Sequence, residues 1–244
     1  MFGNGKITLL AGFAFVGLLC STSAYAQDAA VKTFDWTGPY AGVVLGAGTT
    51  QQTTPNYYYG DAYGSTTDTG AGGTLGATLG YNMQQGSFVY GVEADYSASS
   101  LGIDPYDGYY YSGYYGHVGE WNNLATLRVR AGLALDNTLV YMTGGLASAD
   151  VNQKYCYYGV DGSNCSNADT NEYDSAVSGR QSGYAFGAGV EHAFTDKISL
   201  KAEYLYVGIP DHHNETGYSK DNGYLNQSWS SSANIFRVGL NFRF

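Results

Sequence analysis

Acidic and basic side chains recur two residues apart in this chain. Glu93 and Asp95 share one phase of "FVYGVEADYS", and Arg128 and Arg130 share one phase of "LATLRVRAGLAL". Glu191 stands in "GYAFGAGVEHAF", Lys201 and Glu203 in "ISLKAEYLYV", and Arg237 and Arg243 in the terminal "NIFRVGLNFRF". On a β-strand, residues two apart point the same way. Each charged pair therefore lies on one face, opposite a face of Leu, Val, Ala, Phe and Tyr. Four negative groups (Glu93, Asp95, Glu191, Glu203) nearly balance five positive ones (Arg128, Arg130, Lys201, Arg237, Arg243). If that face is enclosed, an unpaired charge costs several kcal/mol, on the order set by desolvation. The chemistry expected of these residues is a network of ion pairs. On neighbouring strands it would join Glu93 and Asp95 to Arg130 and Arg128, Glu191 to Lys201, and Glu203 to Arg237.

Other reactive residue types are sparse. Of the histidines, His117, His192, His212 and His213, the third and fourth form the doublet in "DHHN", a weak candidate for metal or haem binding against the plainer reading of a solvated loop. His192 falls on the apolar face near a short turn, where an interfacial aromatic-like role fits and a catalytic one does not. No catalytic residue, resident metal or cofactor is expected. Glycine pairs lie within strands and not between a strand and a helix, so they do not cradle phosphate. Cys156 and Cys165 lie in a polar stretch. A disulfide pinning a loop is expected if the compartment is oxidising, since a metal site wants more ligands than two cysteines.

The elements that must position these groups are strands. Alternation of apolar and small or polar residues recurs in eight segments of roughly ten residues, the length at which a tilted strand crosses a bilayer. Three connections are short: "QQGS", "DNT" and "TDK". The other links are long and rich in Gly, Tyr, Ser, Asn and Asp, with loops expected near 49–72, 99–121, 149–181 and 209–232. Short turns at one end and long loops at the other are the sidedness of an outer-membrane barrel. The expected fold is all-β: an eight-stranded antiparallel up-and-down transmembrane barrel spanning 38–244. A bilayer cannot solvate free backbone amides, so such a sheet must close on itself. The last strand then pairs with the first, which accounts for a strand running to the final Phe244.

Residues 1–26 differ from the rest. Lys6 precedes the apolar run "ITLLAGFAFVGLL", too short to span a bilayer, and small residues follow at Ala24 and Ala26. These are the parts of a secretory signal peptide, with cleavage expected between Ala26 and Gln27. Leu19 before Cys20 disfavours lipidation, where a small residue is wanted. Residues 27–37 would form a short periplasmic lead-in.

With 13% charged residues, 25 Tyr and 35 Gly, the chain does not have the composition of a disordered protein. Its net charge of −10 argues against a nucleic-acid partner. The clusters "NYYYG", "GYYYSGYYG" and "YCYYG" put tyrosines in the long loops. Tyr combines a rigid apolar body with a polar tip, suited to surface adhesion; equally, these runs can extend the barrel strands and pack on one another.

Taken together, "DWTGPYAGVVLGAG", "GATLGYNMQQGSFVYGVEADY", "LATLRVRAGLAL", "VYMTGGLA" and the terminal "FRVGLNFRF" resemble the small outer-membrane β-barrel proteins of Gram-negative bacteria. These are the porin-family or opacity-type surface antigens, similar to the OmpA transmembrane domain. The resemblance implies integral outer-membrane localisation in contact with its lipids, and delivery to the barrel-assembly machinery. Arg237, Gly239, Phe242 and Phe244 match the family's assembly signal. The functions implied are a structural surface protein with a plugged barrel, an adhesin or haem/metal binder acting on host or surface ligands through the long loops, or a narrow porin. No peptidoglycan-binding domain of the OmpA type follows the barrel, so direct wall anchoring is not expected.

Overall fold

The computed structural model describes residues 34–58, 61–103, 108–110, 113–158, 175–210, 218–219, 223–224 and 230–244. Eleven strands occur in this order: β1 (Gly38–Tyr58), β2 (Asp61–Gln85), β3 (Phe88–Ile103), β4 (Gly108–Tyr110), β5 (Gly113–Leu135), β6 (Thr138–Tyr158), β7 (Ser175–Ala193), β8 (Ile198–Ile209), β9 (Tyr218–Ser219), β10 (Gly223–Tyr224) and β11 (Ser230–Arg243). β9 and β10 pair only with each other, and β4 adds only to β5. The remaining eight form a ring, each antiparallel to its neighbours in the order β1, β2, β3, β5, β6, β7, β8, β11. The ring closes between β1 and β11, with Tyr40 opposite Arg243 and Thr53 opposite Ser230.

Closure follows from local chemistry. Gly86 has a φ of 61° and Asp136 one of 52°, values that a two-residue hairpin turn requires and that Gly and Asp tolerate. Large apolar side chains on the outward face stand 37–76% exposed, from Tyr90 to Phe244. A water-soluble sheet would leave these uncovered; in a bilayer they meet lipid. The aromatics collect at the two ends of this band, with Tyr184, Phe186 and Tyr206 stacked at one and Phe242 against Phe244 at the other.

The stretches expected as long loops are strand over much of their length. The β1–β2 ladder continues to Tyr58 opposite Asp61, where 49–72 was the expected loop. Within 99–121, β3 persists to Ile103 and β5 starts at Gly113. Within 149–181, β6 runs to Tyr158 and β7 starts at Ser175, and the small β9–β10 pair lies within 209–232. Thr and Tyr favour pleated backbone, and pairing beyond the membrane needs no apolar face. Tyrosine rows result: Tyr114 stands opposite Tyr158 and Tyr115 opposite Tyr157. Of the two readings of the tyrosine runs, strand extension describes the backbone. The signal segment with Ala26 and Gln27, Cys165, His212 and His213 lie outside the described residues. Cys156 is placed only by its backbone, opposite Gly116.

Candidate functional site in the barrel lumen

The inward face is layered. Nearest the short turns, Phe34, Trp36, Val89, Ala134, Leu139 and Ala193 form an apolar cluster with the ring of Tyr141. At the long-loop end, Leu101, Trp121, Leu124, Val151, Leu205, Val207 and Ile235 belong to a second one. The ionisable residues fill the level between them. An inward face of Gly, Thr, Asn and charge alone was expected, so the two apolar layers are a correction. Leu205 and Val207 have the same phase as Lys201 and Glu203, and Leu124 the same phase as Arg128. Trp121 fell in an expected loop. An eight-stranded lumen is narrow enough for side chains to fill, and apolar groups fill it without unsatisfied polar atoms.

Glu93, Asp95, Arg128, Arg130, Glu191, Lys201, Glu203 and Arg237 are all inward and buried. Arg128 is the hub. Its Nη2 lies 2.5 Å from Glu93 Oε1 and 2.8 Å from Asp95 Oδ2, and its Nη1 lies 3.1 Å from Glu203 Oε1. Arg237 bridges Asp95 Oδ1 at 3.0 Å and donates from both Nε and Nη2 to Glu203 Oε1. Lys201 Nζ donates to Glu93 Oε2 over 2.9 Å, and Arg130 Nη2 to Glu191 Oε2 over 2.8 Å.

One expected pairing is corrected. Glu191 stands opposite Lys201 in the β7–β8 register, yet Glu191 binds Arg130 while Lys201 reaches β3. The expected Glu93–Arg130 pair is present at 3.7 Å, and Arg128 and Lys201 hold Glu93 more closely. The reason is the width of the lumen. β3 and β8 stand on opposite sides of the ring, and long side chains meet at its axis more readily than they lie along one wall. Arg243 is a second correction, since it forms no ion pair in this layer. Its Nη2 donates to the Trp36 carbonyl, and its guanidinium lies 5.3 Å from the Phe34 ring and 5.2 Å from that of Trp36. Without it, four carboxylates face four cations.

Sequence analysis missed the polar side chains that complete this layer. Tyr40 donates its hydroxyl to Glu93 Oε2 over 2.8 Å and accepts from Arg130 Nη1 over 2.9 Å. Tyr141 donates to Glu203 Oε2 over 2.9 Å, with the Arg130 guanidinium 4.0 Å above its ring. The Thr126 hydroxyl donates to Asp95, and Ser199 and Asn241 both donate to Glu191 Oε1. Phase was the available signal: Tyr40 alternates with Gly42, and Tyr141 with Thr143. The tyrosine rings also need glycine opposite them. A Cβ on Gly80 would fall 2.3 Å from the Tyr40 ring, and one on Gly189 would fall 2.7 Å from that of Tyr141.

The short-turn mouth is closed by the stretch expected as a periplasmic lead-in. Trp36 donates its backbone N–H to Gln84 Oε1 over 2.7 Å, and Gln84 donates its own to Thr37 Oγ1 over 3.2 Å. Beside it, the Thr37 N–H bonded to Asp35 holds that carboxyl below the usual carboxylate range. His192 points outward, bonded to Thr138 Oγ1 over 2.9 Å and edge-on to Phe194. Among the described residues no group of His, Cys, Asp and Glu could hold a metal ion. Glu93, Asp95, Glu191 and Glu203 are each held by a cation.

The outer membrane protein beta-barrel domain model matches residues 11–244. The chain belongs to that family. A 22 kDa outer membrane protein of Rhizobium leguminosarum bv. viciae is 33% identical over 89% of this chain and 83% of its own length. A 31 kDa outer-membrane immunogenic protein of Brucella melitensis is 29% identical over 95% of this chain and 98% of its own. Among solved structures, the outer membrane protease OmpT of Escherichia coli superposes with a TM-score of 0.52 over 88% of this chain and 100% of that one. At 11% identity that likeness shows the fold alone. The protein is thus an integral outer-membrane barrel of a Gram-negative surface antigen family. In outer-membrane barrels short turns face the periplasm and long connections the exterior.

Proposed function

We propose that this protein is a structural surface protein whose plugged barrel supports the cell envelope and displays its extended strands outside. The observation that carries this is the layered lumen, in which a neutral ion network lies between two apolar clusters. Trp121 on β5 donates its indole N–H to Ser231 on β11, at the opposite side of the ring, over 3.1 Å. A route for solute would have to break this contact and the layer beneath it. The test is conductance. Refolded protein in planar bilayers is expected to give no sustained open currents, and steady channels would favour the narrow-porin reading instead.

A second reading, adhesion, draws support from the tyrosine rows on the extended ladders. Haem or metal binding through His212 and His213 belongs to the same reading. A deletion strain compared with one lacking only the extracellular extensions separates these functions. If the trimmed protein restores detergent resistance while surface binding is lost, both roles exist and reside in different parts.

The C-terminal Phe244 fits a role in assembly. Its ring is 76% exposed and packs edge-on against Phe242, so it contributes little to the folded core. Deleting it is expected to reduce the membrane-assembled fraction severalfold while leaving the urea midpoint of refolded protein nearly unchanged. Normal assembly of the truncated chain would show that it is no part of an address.

A further inference from the structure

The outward face of β11, β1 and β2 changes character at one level. Below it run Phe236, Ala47 and Leu75; above it the same phase carries hydroxyl and amide side chains. Asn234 stands opposite Thr49, then Ser232 opposite Gln51 and Thr69, then Ser230 opposite Thr53 and Thr67. Thr49, Gln51, Thr67 and Thr69 are exposed, and the others half-exposed. Neighbouring strands lie about 4.8 Å apart and like-facing residues about 6.7 Å apart along a strand, so the face is roughly 10 Å by 13 Å.

This face carries no charge, although the chain as a whole is acidic. β1 and the part of β11 above Phe236 have no charged residue at all. Asp68, between Thr67 and Thr69, has the opposite phase and pairs in register with the buried Gln52. Elsewhere at the outer rim the pattern differs: on β5, β6 and β7 Asn123, Asp150 and Arg180 form a hydrogen-bonded polar row. At its lower edge the uncharged face joins the lipid-facing band without a break, through Tyr204, whose hydroxyl donates to Asn234.

The geometry points to a docking surface for the saccharide headgroup of an outer-leaflet glycolipid whose acyl chains lie against the apolar band below. The location selects this partner, because the first layer beyond the acyl chains in the outer leaflet is sugar. The chemistry agrees. Hydroxyls and amides both donate and accept, as sugar hydroxyls do, and neutral groups lose less on desolvation than charged ones. An anionic glycolipid would also meet no carboxylate here. β-Branched threonines restrict their own rotamers, so little side-chain freedom is lost on binding.

The test replaces Thr49, Thr53, Thr67 and Thr69 with valine, which keeps shape and strand preference while removing the hydroxyls. Purified rough-type lipopolysaccharide, lipid A without core sugars and phosphatidylglycerol are titrated separately into detergent-solubilised barrel, with thermal unfolding as the readout. Rough-type lipopolysaccharide is expected to raise the midpoint of the native protein, with about a tenfold weaker apparent Kd for the variant. Lipid A, which keeps its glucosamine disaccharide, is expected to distinguish the two proteins in the same direction, and phosphatidylglycerol to act equally on both. Equal affinity of the two proteins for rough-type lipopolysaccharide overturns the inference, as does phosphatidylglycerol matching it on the native protein. If the fourfold variant does not fold, the pairs Thr49→Val/Thr69→Val and Thr53→Val/Thr67→Val carry the same comparison.

Discussion

Replacing Arg128 with alanine is expected to lower the unfolding free energy by about 3–5 kcal/mol, the usual result of removing one partner from a buried charge network. Arg128 contacts Glu93, Asp95 and Glu203 at once. Its loss leaves four carboxylates against three cations in a layer between two apolar clusters. Each of its partners keeps another cation: Lys201 for Glu93, and Arg237 for both Asp95 and Glu203. The layer therefore loosens without collapsing. Urea unfolding in lipid vesicles, followed by tryptophan fluorescence, measures the effect. Adding Asp95→Asn to Arg128→Ala restores the charge balance at three against three, and should recover part of the loss. An unchanged midpoint for Arg128→Ala would show that these charges are solvated and the lumen open.

Trp36→Ala is expected to have an effect of similar size for a different reason. The indole is fully buried in the periplasmic mouth, 4.7 Å from the Phe34 ring and beneath the Arg243 guanidinium. Truncating a buried Trp to Ala costs about 3–5 kcal/mol through lost burial and the cavity left behind. The backbone bonds to Gln84 and Arg243 survive the substitution, so the segment itself should remain in place. Conductance separates stability from plugging: the barrel should be less stable to urea yet still closed, because the layer around Leu101 and Trp121 is untouched. Open channels in Trp36→Ala would place the seal at the periplasmic mouth alone.

These two residues also mark how far sequence reasoning reaches. Arg128 was legible because "LRVRAG" places two arginines in strict alternation with Leu and Val, which puts both on one face of a strand. Trp36 was not, because it precedes the first strand, and nothing in the alternation says where a non-strand segment turns. The apolar layers were hidden by the assumption that one phase has one chemistry throughout. In "ISLKAEYLYVGI" the inward phase changes from Lys201 and Glu203 to Leu205 and Val207 within one strand.

By itself, the sequence determined the barrel: its strand number, its short-turn and long-loop ends, the lipid-facing phase and nine inward charged residues, eight of which form the network. Period-two alternation decides each of these locally, since adjacent side chains must point to opposite faces. Only the tertiary structure decided which charges meet. Lys201 reaches Glu93 across the ring and not Glu191 on the adjoining strand, and Arg243 leaves the network to hold Trp36. Alternation carries no information about distance across a closed lumen. That distance exists only once eight strands have joined into a ring narrow enough for opposite walls to touch.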